Sequence, residues 1–193
     1  MDRLSSFHVQ LFQNDDNFTL QEMPTGSWHA LVMNTTVAPF SDIRVRTAMK
    51  RVVDRRKMID LVLRGHGMVA HDHPVWSQDP FYLKLDRPQD FKHVRALLTE
   101  AGYPEGLDVE LTVADVNAYM IPMAVAYKDM AAKAGIRVTI KLAKAGAYWS
   151  EHWMKTPFFG TRWTERPADL ILNEGFRSGA KWNEAFWMEK RSN

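Results

Sequence analysis

The stretch that decides the fold is residues 107–142, which read LDVELTVADVNAYMIPMAVAYKDMAAKAGIRVTIKL. Apolar and polar residues alternate from Leu107 to Asp115 and again from Ile136 to Leu142, which is the pattern of half-buried strands. Between them, residues 119–134 are predicted to form a helix that ends at Gly135. Two strands joined through a helix by short links predict a βαβ unit, with parallel strands and a right-handed crossover. We expect four side chains of these strands to be buried: Val109, Leu111, Val138 and Ile140.

Two short helices are predicted before this unit, between Ser41 and Gly65, and they meet near Asp54. Either Ser41 or Asp42 can cap the first helix and Asp54 can cap the second. Gly65 suits the position after the second helix, where a positive φ costs glycine little. Their apolar residues recur with the spacing of a buried helix face. These residues are Val45, Ala48, Met49 and Val52 in the first helix, and Met58, Ile59, Val62 and Leu63 in the second.

The remaining segments complete an α/β pattern. Further strands are predicted at residues 7–11, 28–33 and 158–163, and further helices at residues 90–101, 147–155 and 169–176. Residues 65–88 have no periodicity, and a loop of this length is typical of a functional or lobe-spanning segment. The sequence therefore predicts one α/β lobe over residues 1–193, in which a mixed sheet contains the parallel βαβ unit and is flanked by helices.

Composition sets limits on the class of protein. The 193 residues are 46% apolar and 25% charged, as in an ordinary soluble globular domain. The sequence has no run of eighteen apolar residues, so it predicts no transmembrane helix. A net charge of +2 is too small to argue for nucleic acid or a membrane surface as a partner. The absence of cysteine excludes disulfides and thiolate chemistry.

Several short motifs carry a family resemblance. They are PFSDIRVRTA at 39–48, DR at 54–55, GHG at 65–67, ALLTEAGY at 96–103, AGIRV at 134–138 and WNE at 182–184. In this order over nearly the whole chain, they resemble the C-terminal lobe of the peptide/nickel family (extracellular family 5) of ABC-transporter solute-binding proteins.

The resemblance implies a fold and a function. The fold is one lobe of a type II periplasmic-binding-protein-like structure, so the chain is expected to be a fragment that lacks the N-terminal lobe and the signal sequence. The function is capture of a peptide-like or related small solute in the periplasm and its delivery to ABC permease subunits. No cofactor and no catalysis are implied.

A concentration of aromatic residues near the C-terminus is the candidate ligand site. Five of the seven tryptophans lie between Trp149 and Trp187, interleaved with charged and amide side chains. Ligand pockets are mostly apolar and aromatic, with a few placed polar groups. The resemblance implies that the segment from Trp163 onward forms a wall of the ligand cleft. The predicted ligand-binding residues are Asn34, Trp163, Glu165, Arg166, Trp182 and Asn183.

One position departs from the family pattern. In the peptide-binding members, an acidic residue three positions after the tryptophan meets the α-amino group of the ligand. Here that position is Arg166, and Glu165 precedes it. A guanidinium presents a planar fork of donors that suits a carboxylate or a phosphate. The departure therefore favours a ligand with an anionic group over simple recognition of a peptide N-terminus.

Three other readings have less support in the sequence. The basic helix at residues 44–57 is the basis of an alternative, a nucleic-acid-associated α/β module, but a solvated helix face explains the same charges. His66, His71 and His73 lie in the long loop without the regular spacing of a zinc site, so we expect no metal there. No phosphate-binding loop, nucleophile elbow or distinctive carboxylate pair indicates an enzyme.

Overall fold

A computed structural model describes Ser6 and residues 8–188. The elements, in chain order, are α1 (Val9–Phe12), β1 (Trp28–Met33), α2 (Ile43–Arg51), α3 (Arg55–Leu63), α4 (Phe91–Glu100), β2 (Leu107–Ala114), α5 (Met120–Ala132), β3 (Ile136–Ala143), a 3₁₀ turn (Ala145–Ala147), a π-helical turn (Tyr148–His152), β4 (Phe158–Trp163) and α6 (Ala168–Gly175). In this described part of the chain, no helix has the length and apolar character needed to cross a membrane.

The four strands form one mixed sheet in the order β1-β4-β2-β3. Strand β2 runs parallel to β3 in a register that pairs Leu107 with Ile136 and Ala114 with Ala143. It also runs parallel to β4, whereas β1 and β4 are antiparallel. The predicted mixed sheet with a parallel βαβ unit is therefore confirmed.

The inward-facing residues of the βαβ unit are buried largely as predicted. Val109, Leu111 and Val138 belong to the main core, together with residues of α2, α4 and α5. Ile140 is only partly buried, so its prediction was too strong. The reason is that β3 is an edge strand, and its carboxyl-terminal half extends beyond the core, where Leu142 is 64% exposed.

Short acidic side chains begin three of the helices. Asp42, rather than Ser41, caps α2 by accepting the backbone N–H of Arg44 at 2.7 Å. Asp54 caps α3 and Asp90 caps α4 in the same way, at 3.0 and 2.9 Å. After α3 the chain turns through the positive φ of Gly65, as its position in the sequence predicts. These caps satisfy amide groups that a helix start leaves without partners.

Two predicted elements differ from the structure. Residues 9–12 form the short helix α1, so the predicted strand at 7–11 is wrong; Phe7 itself lies outside the described residues. Leu11 is 69% exposed, and the alternation there does not mark the buried face of a sheet. In place of the helix predicted at 147–155, the structure has a shorter π-helical turn at Tyr148–His152.

Strand β2, which is an internal strand of the sheet, offers a stability test with a matched control. Leu111 is fully buried, whereas Leu142 is 64% exposed on the neighbouring strand β3. We expect Leu111→Ala to lower the free energy of unfolding by about 2–5 kcal/mol, since it leaves a cavity in the core. Leu142→Ala should change it by less than about 0.5 kcal/mol. Urea denaturation measures both, and equal losses would contradict the assigned core.

Candidate functional site

An open groove lies at the carboxyl end of strand β4. In open α/β sheets, ligands bind at the carboxyl ends of the parallel strands. The groove has a volume of about 380 Å³. We call it the tryptophan groove, and its walls are Trp149, Trp153, Arg162, Trp163, Thr164, Arg166, Trp182 and Glu184.

A buried carboxylate, Glu184, forms the base of the tryptophan groove. Only 6% of Glu184 is exposed. Its Oε1 accepts the indole N–H of Trp153 at 2.5 Å and the hydroxyl of Thr161 at 2.6 Å. Its Oε2 accepts the indole N–H of Trp163 at 3.0 Å. Glu184 therefore fixes the orientation of two tryptophans that come from different segments of the chain.

The electrostatics of Glu184 follow from its surroundings. Burial raises the pKa of Glu184, and the three hydrogen bonds from Thr161, Trp153 and Trp163 act in the opposite direction. All three donors are neutral, and no cation among the described residues forms an ion pair with Glu184. Sequence reasoning used Glu184 only as part of the WNE motif and did not assign it to the site. The position of a single glutamate in an aromatic segment does not predict which indole groups it will contact in the fold.

The tryptophan rings pack against one another around this carboxylate. Trp163 is stacked on Trp28 of the neighbouring strand, with ring centroids 6.0 Å apart. Trp153 lies 5.8 Å from Trp149 and 5.2 Å from Trp182, again between centroids. Trp149 keeps 43% of its surface exposed. The tryptophan groove therefore presents a rigid aromatic wall with an accessible face at Trp149.

The two arginines of the tryptophan groove differ in their partners. Arg166 forms an ion pair with Glu174, with 3.0 Å between Nε and Oε2, and its guanidinium lies 5.2 Å from the ring centroid of Trp163. Arg166 also donates to the hydroxyl of Thr164 at 3.0 Å. Arg162 is exposed, and its side chain has no hydrogen bond or ion pair with any residue that the structure describes.

Three of the predicted ligand-binding residues hold the backbone of the fold by hydrogen bonds. Glu165 accepts the backbone N–H of Gly26 at 2.8 Å. Asn183 is buried, and its amide donates to the backbone carbonyl of Trp187 at 2.6 Å. Asn34 follows β1 and accepts hydrogen bonds from the residue two positions on. The structure brings three of the six predicted residues together in the tryptophan groove: Trp163, Arg166 and Trp182.

The loop histidines are engaged by neighbouring groups. A ring nitrogen of His71 lies 2.7 Å from the carbonyl oxygen of Leu85, and one of His73 lies 2.6 Å from that of Leu83. His66 lies 3.0 Å from a carboxylate oxygen of Glu22. Among the described residues, no group of three or more His, Cys, Asp or Glu is arranged to hold a metal ion. The expectation of no metal site stays a prediction, which calorimetric titration with nickel and zinc tests.

Three arginines of the 44–57 segment have partners within the fold. Arg44 pairs with Asp42 at 2.5 Å, and Arg55 pairs with Asp72 at 2.7 Å. Arg46 donates to a backbone carbonyl at 2.7 Å. These charges therefore do not form one free stripe along a helix.

A largely buried histidine lies across the sheet from Arg162. His29 on β1 is paired in register with Arg162 on β4, and its ring lies 5.4 Å from that of Tyr119. Burial, and secondarily the charge of Arg162, lowers the pKa of His29 from 6.5 to about 4. At neutral pH this imidazole is therefore uncharged.

The lowered pKa of His29 predicts a loss of stability in mild acid. The unfolded chain takes up this proton near pH 6.5 and the folded chain only near pH 4, so folding becomes less favourable as the pH falls through that interval. The loss should reach about 3 kcal/mol at the lower end. His29→Phe keeps a ring against Tyr119 and should flatten the curve of unfolding free energy against pH. The exposed His93→Phe is the control, and a curve unchanged by His29→Phe would contradict the assignment.

Known proteins resemble this chain in sequence and in fold. The sequence matches the family described as "Bacterial extracellular solute-binding proteins, family 5 Middle" over residues 2–178. Heme-binding protein A of Haemophilus influenzae is 33% identical over 89 residues, which are 45% of this chain and 16% of that protein. Di/tripeptide-binding protein 1 of Pseudomonas aeruginosa is 27% identical over 147 residues, which are 75% of this chain and 27% of that protein.

A solved structure extends the likeness to the fold. NikZ from Campylobacter jejuni, in complex with Ni(L-His), superposes with a TM-score of 0.80 at 19% identity, over 97% of this chain and 41% of NikZ. This level of identity shows the fold alone, which is that of part of a type II periplasmic binding protein. The chain spans less than half the length of these three proteins. The chain belongs to family 5 of the bacterial extracellular solute-binding proteins.

Proposed function

We propose that this chain is part of the solute-binding component of an ABC importer. The whole protein would capture a peptide-like or related small solute in the periplasm and deliver it to the membrane permease. The family match over residues 2–178 is the observation that carries this proposal. Relatives named for binding di- and tripeptides support a solute of similar chemistry.

The tryptophan groove is the proposed ligand-binding wall. Its volume of about 380 Å³ falls in the range of small-molecule sites, and its aromatic lining with few polar groups is typical of them. Trp149, Trp153 and Trp182 would supply apolar contact, and the largely buried Trp163 would support them from behind. The guanidinium groups of Arg162 and Arg166 provide the polar side. Glu165, Asn183 and Asn34 would act as supports, since their side chains make hydrogen bonds to backbone groups.

The second wall of the cleft would come from the rest of the protein, as the N-terminal lobe. The matched region is only 27% of a di/tripeptide-binding relative, so much of such a protein lies outside this chain. Closure of two lobes over a ligand requires that the ligand bind the closed state better than the open one. No chemical change of the solute and no cofactor belong to this proposal.

The alternative of a nucleic-acid-associated module has no support. The matched family is one of solute-binding proteins, and three of the arginines on which that alternative depends, Arg44, Arg46 and Arg55, have partners within the fold.

The test of the proposal starts with the full-length protein that contains both lobes. Native mass spectrometry should detect a retained solute or one taken up from a mixture of di- and tripeptides. In that protein, Trp149→Ala should weaken solute binding about tenfold, or roughly 1.4 kcal/mol, because the accessible indole face is lost. Isothermal titration calorimetry measures the affinity, and the melting temperature checks the fold.

Trp187→Ala is the matched control, since Trp187 is 45% exposed, as Trp149 is 43%, but does not line the tryptophan groove. It should leave the affinity within about twofold of the wild type. Equal losses of affinity in the two variants would contradict the site assignment but not the family assignment. The absence of solute binding by the full-length protein would overturn the proposed function.

A further inference from the structure

The two arginines of the tryptophan groove are not equivalent as anion-binding groups. Arg166 is already neutralised, because its Nε lies 3.0 Å from a carboxylate oxygen of Glu174. Its Nη1 donates to the carbonyl and the hydroxyl of Thr164, and its guanidinium carbon lies 5.2 Å from the ring centroid of Trp163. An incoming anion at Arg166 would therefore have to compete with an existing carboxylate.

Arg162 has no such competitor. It lines the same groove, is exposed, and makes no ion pair with any described residue. The other carboxylate of the groove, Glu184, is turned toward the indoles of Trp153 and Trp163 and the hydroxyl of Thr161. The charge of Arg162 is therefore uncompensated within the tryptophan groove.

The surroundings of Arg162 strengthen its field. Its cross-strand neighbour His29 is largely buried against Tyr119, and burial lowers the pKa of that imidazole to about 4. The uncharged imidazole of His29 therefore does not compete with an anion for Arg162 at neutral pH. A cation on a groove with aromatic, low-dielectric walls attracts anions more strongly than one on an open surface.

We propose that Arg162, and not Arg166, binds an oxyanion of the solute, a carboxylate or a phosphate. The guanidinium fork can donate two parallel hydrogen bonds to either group. The apolar part of the same solute would then lie along Trp149 and Trp153. This proposal rests on the proposed function in one respect, which is that the tryptophan groove is the ligand site. It implies that the solute is anionic.

The experiment titrates the 193-residue chain with acetate and, separately, with inorganic phosphate, at constant ionic strength. Tryptophan fluorescence is the readout, because four indoles line the groove. The wild-type chain should respond saturably, with a midpoint in the millimolar range, about 1–10 mM. The anion with the lower midpoint identifies the oxyanion as carboxylate or phosphate. Failure to saturate below about 100 mM with both anions would overturn the assignment.

Three substitutions locate the response. Arg162→Gln should raise the midpoint about tenfold or more, whereas Arg166→Gln should raise it less than about threefold. Arg56→Gln is the control, since Arg56 is also exposed and without an ion pair among the described residues but lies outside the tryptophan groove. It should leave the midpoint unchanged.

Circular dichroism and the melting temperature of each variant confirm that the fold is kept. A larger rise of the midpoint in Arg166→Gln than in Arg162→Gln would assign the anion to Arg166 and refute the proposal. Equal midpoints in the wild type and Arg162→Gln would refute it as well. Neither result bears on whether the full-length protein retains a solute, so failure here is distinct from failure of the proposed function.

Discussion

The carboxylate of Glu184 and its three donors are the constraint on which the tryptophan groove depends. A carboxylate taken out of water must have its lone pairs satisfied, or its burial is strongly unfavourable. Here the donors come from Trp153, Thr161 and Trp163, which lie after the π-helical turn and on β4. One side chain near the C-terminus thereby joins three separate segments. Any shift of Glu184 would release both indoles from their present orientation.

Close packing behind the groove reinforces this constraint. Gly175, the last residue of α6, approaches the ring of Trp163 so closely that a Cβ there would lie 3.2 Å from it. The start of α6 has no cap from its own Pro167, and the backbone N–H of Ala168 is instead accepted by Asp79 at 3.0 Å. Asp79 belongs to the long loop that the sequence marked as functional or lobe-spanning. This loop therefore has a structural role, since Asp79 holds the start of α6 beside the groove.

The sequence predicted best what depends on neighbours in the chain. The βαβ unit and the capping roles of Asp54 and Asp90 follow from local patterns, and all are present. The roles of Arg162 and Glu184 were not predictable, because they depend on contacts between distant segments. The sequence favoured Arg166 as the anion-binding residue, but in the structure Arg166 forms an ion pair with Glu174 of the following helix, α6. No periodicity in the sequence reveals that pairing. The strand predicted at 7–11 failed for the opposite reason, since a local alternation had no partner strand to support it.

The antiparallel pairing of β1 with β4 also has a consequence for the order of assembly. Trp28 and Trp163 are register partners, although they lie far apart in the sequence. Contacts this far apart in sequence form late, because closing a long loop costs entropy before the contacts stabilise it. On the ribosome, the βαβ unit is complete well before β4 emerges, whereas β1 must wait for its partner. Until then, the apolar side chains of β1 have no strand beside them, and this interval is when the nascent chain most needs protection from aggregation.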